Sequence, residues 1–185
     1  MNITEKKAVV EDAKNKKLLC KIGFKYDTIH NVYLIPLICG EQLFLGTEEE
    51  DFILDGYTIR RFKDIKNIEE KSGIQNEILK KEGIVITTPE IEVKDWKAVF
   101  HSIKKLNKNV IVERETFDGE DEFFVIGKID EIYKNFVYVY YFDVDGIWDE
   151  YPDKIMFNEI TSVTFGSRYI DVFSKYIGEP GMKNR

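Results

Sequence analysis

The last third of the chain constrains the fold most strongly, because short aromatic and β-branched runs alternate there with turn signals. The runs between Phe123 and Tyr176 include FFVIGKID, FVYVYYF and ITSVTF, and Lys134-Asn135 and Asp145-Gly146 mark turns between them. Aromatic and β-branched side chains pack well on a pleated surface, and turn residues at such intervals separate short strands. The pattern predicts a small twisted sheet that ends in a short helix.

A second β-rich block occupies residues 18–68 and contains an echo of the first. Asp55-Gly56 stands between two of its strand-like runs and predicts a hairpin. The segment from Phe62 to Ile68 reads Phe-x-acid-Ile-x-x-aliphatic, and the segment from Phe157 to Val163, which begins 95 residues later, has the same pattern. We interpret this echo as an internal duplication.

The connecting segment, residues 69–108, has a different periodicity that predicts a helix, a strand and a second helix. Ser72-x-x-Gln75 has the form of a capping box at a helix start. IVITT at 84–88 reads as a short strand. Five apolar residues then recur at helical spacing between about Lys94 and Leu106, which predicts the second helix. They are Trp96, Val99, Phe100, Ile103 and Leu106.

These segments predict a mainly β fold with α helices, of the α+β class, built from two small β-barrel units. The predicted boundaries are a flexible or helical arm at 1–16, a first barrel unit at 17–68 and the helix–strand–helix connector at 69–108. A second barrel unit with a C-terminal helix follows at 109–178, and a loose tail at 179–185 ends the chain.

The ordering of short, strongly bent strands resembles Sm-like and SH3-like barrels, in which a glycine in an early strand, here Gly127, permits bending. The segments GKID, DGIWDEYP and ITSVTFGSRYIDVFSKY resemble a group of bacterial proteins to which no activity is assigned. The first block is faintly similar to the ligand-sensing barrel of WYL-type regulators, although the Trp-Tyr-Leu signature is missing. The resemblance implies a fold and no particular chemistry.

The bulk composition favours a protein partner over nucleic acid. The net charge is −7, whereas nucleic-acid binders normally carry a basic surface. Cys20 and Cys39 are too few and too far apart to indicate a disulfide framework or a metal site. The N-terminus lacks the apolar core of a signal peptide, and no run is long enough to span a membrane. We expect a cytoplasmic protein.

No catalytic or cofactor motif stands out, so we expect a non-enzymatic protein without a cofactor. Asp143-x-Asp145-Gly resembles the start of a calcium loop, but the twelfth residue is Lys154 where such a loop needs Glu. A solvated turn explains this segment better. His30 and His101 lie in different blocks without a nearby nucleophile or acid that would form a triad.

The candidate binding residues lie on the strand Phe136 to Phe142 and at the corner that follows the last strand. Alternation places Tyr138, Tyr140 and Phe142 on one face, opposite an apolar second face, so this face is either covered or a partner surface. Arg168 and Tyr169 lie where the last strand becomes a helix. There Arg168 either pairs with a carboxylate or binds an anion beside the helix start.

Three functions remain open at this stage. The first is protein binding through the aromatic face or a sheet edge. The second is nucleic-acid binding by analogy with Sm-like folds. The third is a small-ligand sensor or an enzyme with a pocket between the two units, which a deep pocket with His, Asp or Arg would favour and a junction filled by Trp96 and Phe100 would disfavour.

Overall fold

The computed structural model describes residues 1–27 and 30–181, which form ten strands and four α helices. The helices are α1 (Ile3–Lys16), α2 (Ile74–Lys81), α3 (Trp96–Lys105) and α4 (Arg168–Tyr176). The strands are β1 (Cys20–Phe24), β2 (Val32–Cys39), β3 (Leu43–Glu50), β4 (Ile53–Arg61), β5 (Ile65–Glu70), β6 (Val110–Arg114), β7 (Phe123–Ile132), β8 (Phe136–Tyr141), β9 (Asp153–Met156) and β10 (Ser162–Phe165). The fold is therefore α+β, as the sequence predicts. Residues 182–185 of the predicted tail lie outside the described part of the chain.

All ten strands belong to one antiparallel sheet in the order β5-β1-β2-β3-β4-β10-β6-β7-β8-β9. The sheet is open: β5 and β9 form its two edges, and no pairing between described strands closes either half into a barrel. Short turns join most neighbours, which is the economical way to build antiparallel pairs.

The two halves of the sheet repeat one strand order. In the first half the fifth strand, β5, pairs with β1; in the second half the fifth strand, β10, pairs with β6. The registers also agree. Ile22 lies opposite Ile68 in the first half, and Val112 lies opposite Val163 in the second. The central positions of these two ladders therefore match, although the shift between Gly23 and Phe24 has no counterpart in the β6–β10 ladder.

A shared irregularity extends this match to the second and third strands. Pro36 in β2 lies opposite Gly46, and the register shifts directly afterwards. Ile129 in β7 lies opposite Val139, and the register shifts at the same point. A bulge bends its strand and increases the local twist, so both halves curve at the same place.

The helix that precedes each half packs on a buried cluster, and the second cluster extends into the first half at Leu43, Leu45 and Ile59. The first core packs Val10 and Ala13 of α1 against β1 to β5. The second core packs Val99, Phe100 and Ile103 of α3 against β6 to β10. Both helices start with a side-chain cap, from Asn2 for α1 and Asp95 for α3.

The halves meet edge to edge where β4 pairs with β10, and we call this pairing the seam. It joins Tyr57–Arg60 to Ser162–Phe165. Ile59 lies opposite Val163, and the hydroxyls of Thr58 and Thr164 are 3.0 Å apart. The seam is thus uncharged at its centre and fuses the two halves into one sheet.

The strand predicted at 84–88 is not present. Ile84 and Ile86 pack onto a small cluster with Leu79, while the side chain of Val85 between them is 78% exposed. The segment alternates as a strand does but has no ladder partner in the sheet. Alternation of apolar and polar residues shows only that one side of a segment is buried. Here α2 and β2 cover that side, and the segment does not pair with a strand.

The predicted hairpin at Asp55-Gly56 is also wrong, because both residues lie inside β4. The turn is at Asp51 and Phe52, whose φ angles are 50° and 64°. Gly56 has a φ of +67°, and a Cβ there would lie 2.6 Å from the amide nitrogen of Ser167. Gly56 therefore serves a close approach between β4 and the start of α4.

Two details of the helices differ from the sequence pattern. α2 begins after Gly73 without a side-chain cap, so the Ser72-x-x-Gln75 box does not form. In α4 the buried side carries Ile170 and Phe173, and Ile177 follows the helix, whereas Tyr169, Val172 and Tyr176 are exposed. The buried side of α4 is selected by the sheet surface beneath it.

Candidate binding surface: an exposed aromatic patch

Strand β8 alternates between the second core and the opposite, outer face of the sheet. Val137 and Val139 are completely buried in the core. Phe136, Tyr138 and Tyr140 point to the outer face, where they are only partly buried. The sequence predicts this alternation, because successive side chains of a strand point to opposite faces.

Three rings on this outer face form a connected cluster. The rings of Tyr133 and Phe136 stack with centroids 4.6 Å apart. Tyr138 meets both edge-on, at 5.9 Å from Tyr133 and 5.5 Å from Phe136. Such pairs hold one another in fixed orientations. We call Tyr133, Phe136, Tyr138 and Tyr140 the aromatic patch.

Charged groups frame the aromatic patch. The ammonium of Lys154 on β9 lies 4.3 Å from the centroid of the Phe136 ring, a cation–π contact. The Tyr133 hydroxyl donates a hydrogen bond to the carboxylate of Glu131, and this bond raises the pKa of Tyr133. The patch therefore offers flat apolar rings and polar tips together, a combination that is enriched at protein interfaces.

Phe142 shares the face of the aromatic patch but is not part of its surface. Its side chain is 1% exposed, because the ring of Trp148 and the ring of Phe173 on α4 cover it. The ring centroids lie 5.1 Å and 5.3 Å from that of Phe142. The predicted binding role of Phe142 is therefore replaced by a packing role. α4 covers this end of the face and leaves the Tyr138 end open.

Arg168 and Tyr169 begin α4 on the exposed surface. The backbone amide of Arg168, rather than its guanidinium, donates to Asp55 Oδ1 at 2.6 Å. Ser167 caps the same helix by accepting from the Ile170 amide. The start of α4 is thus satisfied by the chain's own side chains, and an anion has no free amide of Arg168 to bind. Tyr169 is 50% exposed and rests edge-on against Phe173.

A second candidate site is a cavity of about 760 Å³ beside the junction of the two halves. Matching turns from each half line it, with Gln42 and Lys63 from the first and Asn135 and Asn158 from the second. Trp96 forms part of its wall, whereas Phe100 is buried in the core. Both rings belong to the buried cluster that also contains Leu45 of the first half, so they fill the junction as the sequence suggests, and the cavity lies beside it.

The charge of this cavity is opposite to that of the whole protein. Arg61, Lys63, Lys97 and Lys134 line it, against two carboxylates, although Arg61 is ion-paired with Asp64. One of the two, Asp95, is engaged as the N-cap of α3. A locally basic, aromatic-walled cavity suits a ligand with an anionic group and a flat apolar part.

A buried polar cluster near the seam is a feature that the sequence did not reveal. Arg60 is 7% exposed, stacks over the ring of Phe24 at 4.7 Å and donates to the carboxylate of Glu115. Burial raises the pKa of the neighbouring Glu113 carboxyl. Arg60 appears in the sequence only as one of two adjacent arginines, and nothing local marks it as buried.

No protein-family model, curated protein or solved structure matches this chain. The site must therefore be argued from its own geometry.

The groups that could carry chemistry have structural explanations. Asp143 accepts hydrogen bonds from the amides of Asp145 and Ile147, so it caps its own turn. Burial raises the pKa of the Cys20 thiol to about 12 and that of Cys39 to about 11, which leaves both protonated at neutral pH. In the described ranges, no group of three His, Cys, Asp or Glu side chains could hold a metal ion. None of the helices described here is both long enough and apolar enough to cross a membrane.

Proposed function

We propose that this chain is a cytoplasmic, non-enzymatic module that binds another protein through the aromatic patch. The observation that carries the proposal is the partial exposure of four neighbouring aromatic rings, three on the outer face of β8 and one, Tyr133, in the turn before it. Tyr133 alone is 43% exposed. Aromatic side chains lose little conformational entropy on binding and contribute large contact areas, so clusters of them mark interface centres.

The setting of the aromatic patch supports this role. Val137 and Val139 anchor β8 in the core, so the rings of Phe136, Tyr138 and Tyr140 are held by a packed strand. Tyr hydroxyls supply hydrogen bonds at the rim, and Lys154 adds a cation. A partner with an apolar centre and an acidic border would complement this surface.

We further propose that the two halves of the sheet are two related Sm-like units. Three observations support it: the repeated strand order, the matching registers with a shared bulge, and the helix in front of each set of five strands. In this interpretation the seam is an internal unit–unit contact.

Affinity capture from a bacterial lysate tests protein binding. The wild-type chain should retain a partner that the Tyr138→Ala/Tyr140→Ala variant loses, because the central rings of the interface are removed. Phe117→Ala/Tyr151→Ala is the matched control: these aromatics are 77% and 74% exposed but lie outside the aromatic patch. Equal capture by all three folded proteins would refute the proposed surface.

A second candidate function is the binding of single-stranded nucleic acid or another anionic aromatic ligand in the junction cavity. The four cations and the Trp96 wall favour it, since bases stack on aromatic rings while phosphates pair with Lys and Arg. The net charge of −7 opposes it.

Fluorescence anisotropy with a labelled oligonucleotide decides this second candidate. Binding at low salt should weaken steeply as salt is added, and Lys63→Ala/Lys134→Ala should reduce both the affinity and the salt dependence. Lys80→Ala/Lys81→Ala on α2 removes the same charge away from the cavity and should have little effect. Absence of binding at low salt would end this idea.

A further inference from the structure

The seam between β4 and β10 has a geometric counterpart at the two ends of the sheet. β9 occupies in the second half the position that β4 occupies in the first, and β5 likewise matches β10. Neither β9 nor β5 has a further described strand beside it. A second copy could therefore lay its β5 along β9 just as β10 lies along β4, and repeated addition would give a head-to-tail chain of copies.

The matched registers show which residues would meet in such a contact. Tyr138 opposite Lys154 matches Leu45 opposite Ile59, so Lys154 takes the place of Ile59. By the same comparison Asp153 takes the place of Thr58.

On the other edge, Ile68 takes the place of Val163 and Glu69 that of Thr164. Where the seam places Thr58 opposite Thr164, an added copy would place Asp153 opposite Glu69. Where the seam places Ile59 opposite Val163, it would place Lys154 opposite Ile68.

Both of these differences from the seam oppose strand pairing between β9 and β5 of an added copy. Like charges directly opposite each other across two strands are destabilising, and a lysine opposite an apolar residue at a closed edge loses its water. β9 is also only four residues long and follows Pro152. Short, charged, proline-flanked strands are the means by which proteins protect sheet edges.

The outer face of the sheet next to β9 also differs from the matching face of the first half. Leu43 and Leu45 on the outer face of the first half belong to the buried cluster that contains Ile91, Val93 and Trp96. Their counterparts are Phe136 and Tyr138 of the aromatic patch, which are only partly buried and have no following segment over them among the residues up to 181. Instead Tyr133, the counterpart of Gly40, stacks on Phe136.

We propose that the fold retains the geometry for head-to-tail addition of copies and that Asp153, Lys154 and Glu69 block it. The charged edges keep the two-unit chain single and leave the aromatic patch free of a second copy.

The direct test gives β9 the residues of β4. Wild-type protein should have the mass of one chain by light scattering at every concentration. Asp153→Thr/Lys154→Ile should shift the mass to two or more chains as the concentration rises. A wild-type protein that already associates through β9, or a folded double variant that stays single at its solubility limit, would overturn the proposal.

A charge-reversal series distinguishes a specific contact between the two edges from non-specific association or misfolding of the variants. Asp153→Lys, made together with Lys154→Ile, places opposite charges across the contact and should permit association that salt weakens. Adding Glu69→Lys to it restores like charges and should return the mass to one chain. Asp149→Lys, likewise made together with Lys154→Ile, makes the same charge change in an adjacent turn outside β9 and should stay single. Association of the Asp149→Lys variant, or persistence of association in the variant that also carries Glu69→Lys, would show that the edge contact is not the cause.

Discussion

Arg60 is a cation at a core position. It lies opposite Phe44, and the matching pair in the second half is Val137 opposite Ile155, both buried apolar residues. The guanidinium is stabilised by the Phe24 ring and the Glu115 carboxylate. A charge in this setting is tolerated only while its partners are in place, because its desolvation cost must be offset.

We expect Arg60→Met to destabilise the protein by about 3 kcal/mol, since it leaves the half-buried carboxylates of Glu113 and Glu115 without their cation. The measurement is the urea unfolding midpoint by circular dichroism. Arg114→Met is the control: Arg114 and its partner Glu159 are 31% and 36% exposed, so losing this pair should cost less than about 1 kcal/mol. Similar losses for both variants would contradict the assigned role of Arg60.

Glu113 beside Arg60 should make stability depend on pH. Burial raises the pKa of its carboxyl above the ordinary value of 4.5, so the folded state binds a proton more readily than the unfolded state. The stability that this group adds is complete below pH 4.5 and is lost as the pH rises through the folded-state pKa.

Glu113→Gln removes this titration. We expect the variant to be more stable than wild type at neutral pH, with the advantage vanishing as the pH falls below about 4.5. Urea midpoints across the pH range provide the measurement. A variant that is less stable at neutral pH would show that the Glu113 charge is needed to hold Arg60.

At the scale of elements, Gly127 determines how closely β7 and β8 approach. A Cβ at this position would lie 1.7 Å from the carbonyl oxygen of Tyr140, a distance that no side chain can occupy. The strand pattern predicts a bend at Gly127, and the structure adds the close contact that requires a glycine there.

We therefore expect Gly127→Ala to destabilise the protein by at least about 2 kcal/mol, because β7 and β8 must separate. Gly178→Ala is the control, since a Cβ at Gly178 meets nothing within 4 Å. Thermal unfolding of both variants gives the comparison. A Gly127→Ala protein as stable as wild type would show that the two strands can shift apart without cost.

Local sequence patterns predicted a strand or helix correctly where the buried side of the element is visible in the spacing of its own apolar residues. The alternation of β8 and the helical spacing of α3 are visible within each segment. The predictions of a strand at 84–88 and of a hairpin at Asp55-Gly56 were wrong because each local pattern fits two structures. Alternation fits a paired strand or an unpaired extended segment, and Asp-Gly fits a turn or a position inside a strand. Which structure forms depends on the strands and helices that lie beside the segment in the fold, and the local sequence does not contain that information.

The same limit explains what the sequence missed in the candidate site. Tyr138 and Tyr140 were identified because their own strand alternates. The burial of Phe142 could not be seen, since it depends on where α4 docks. Arg60 was missed because its partners, Phe24 and Glu115, are distant in the chain.

At the scale of the molecule, the seam makes one sheet from two repeated halves. No turn connects β4 to β10, so their pairing rests on packing between segments far apart in the sequence. The uncharged centre of the seam and the charged outer edges at β5 and β9 distinguish a permanent internal contact from protected ends.

Amide hydrogen exchange measured by NMR tests this continuous sheet most directly. A strand with neighbours on both sides has both alternate sets of amides bonded, whereas an edge strand has only one set. We expect slow exchange for both sets in β4 and β10 and for only one set in β5 and β9. Fast exchange of alternate amides in β4 and β10, as at a free edge, would show that the two halves do not share a sheet.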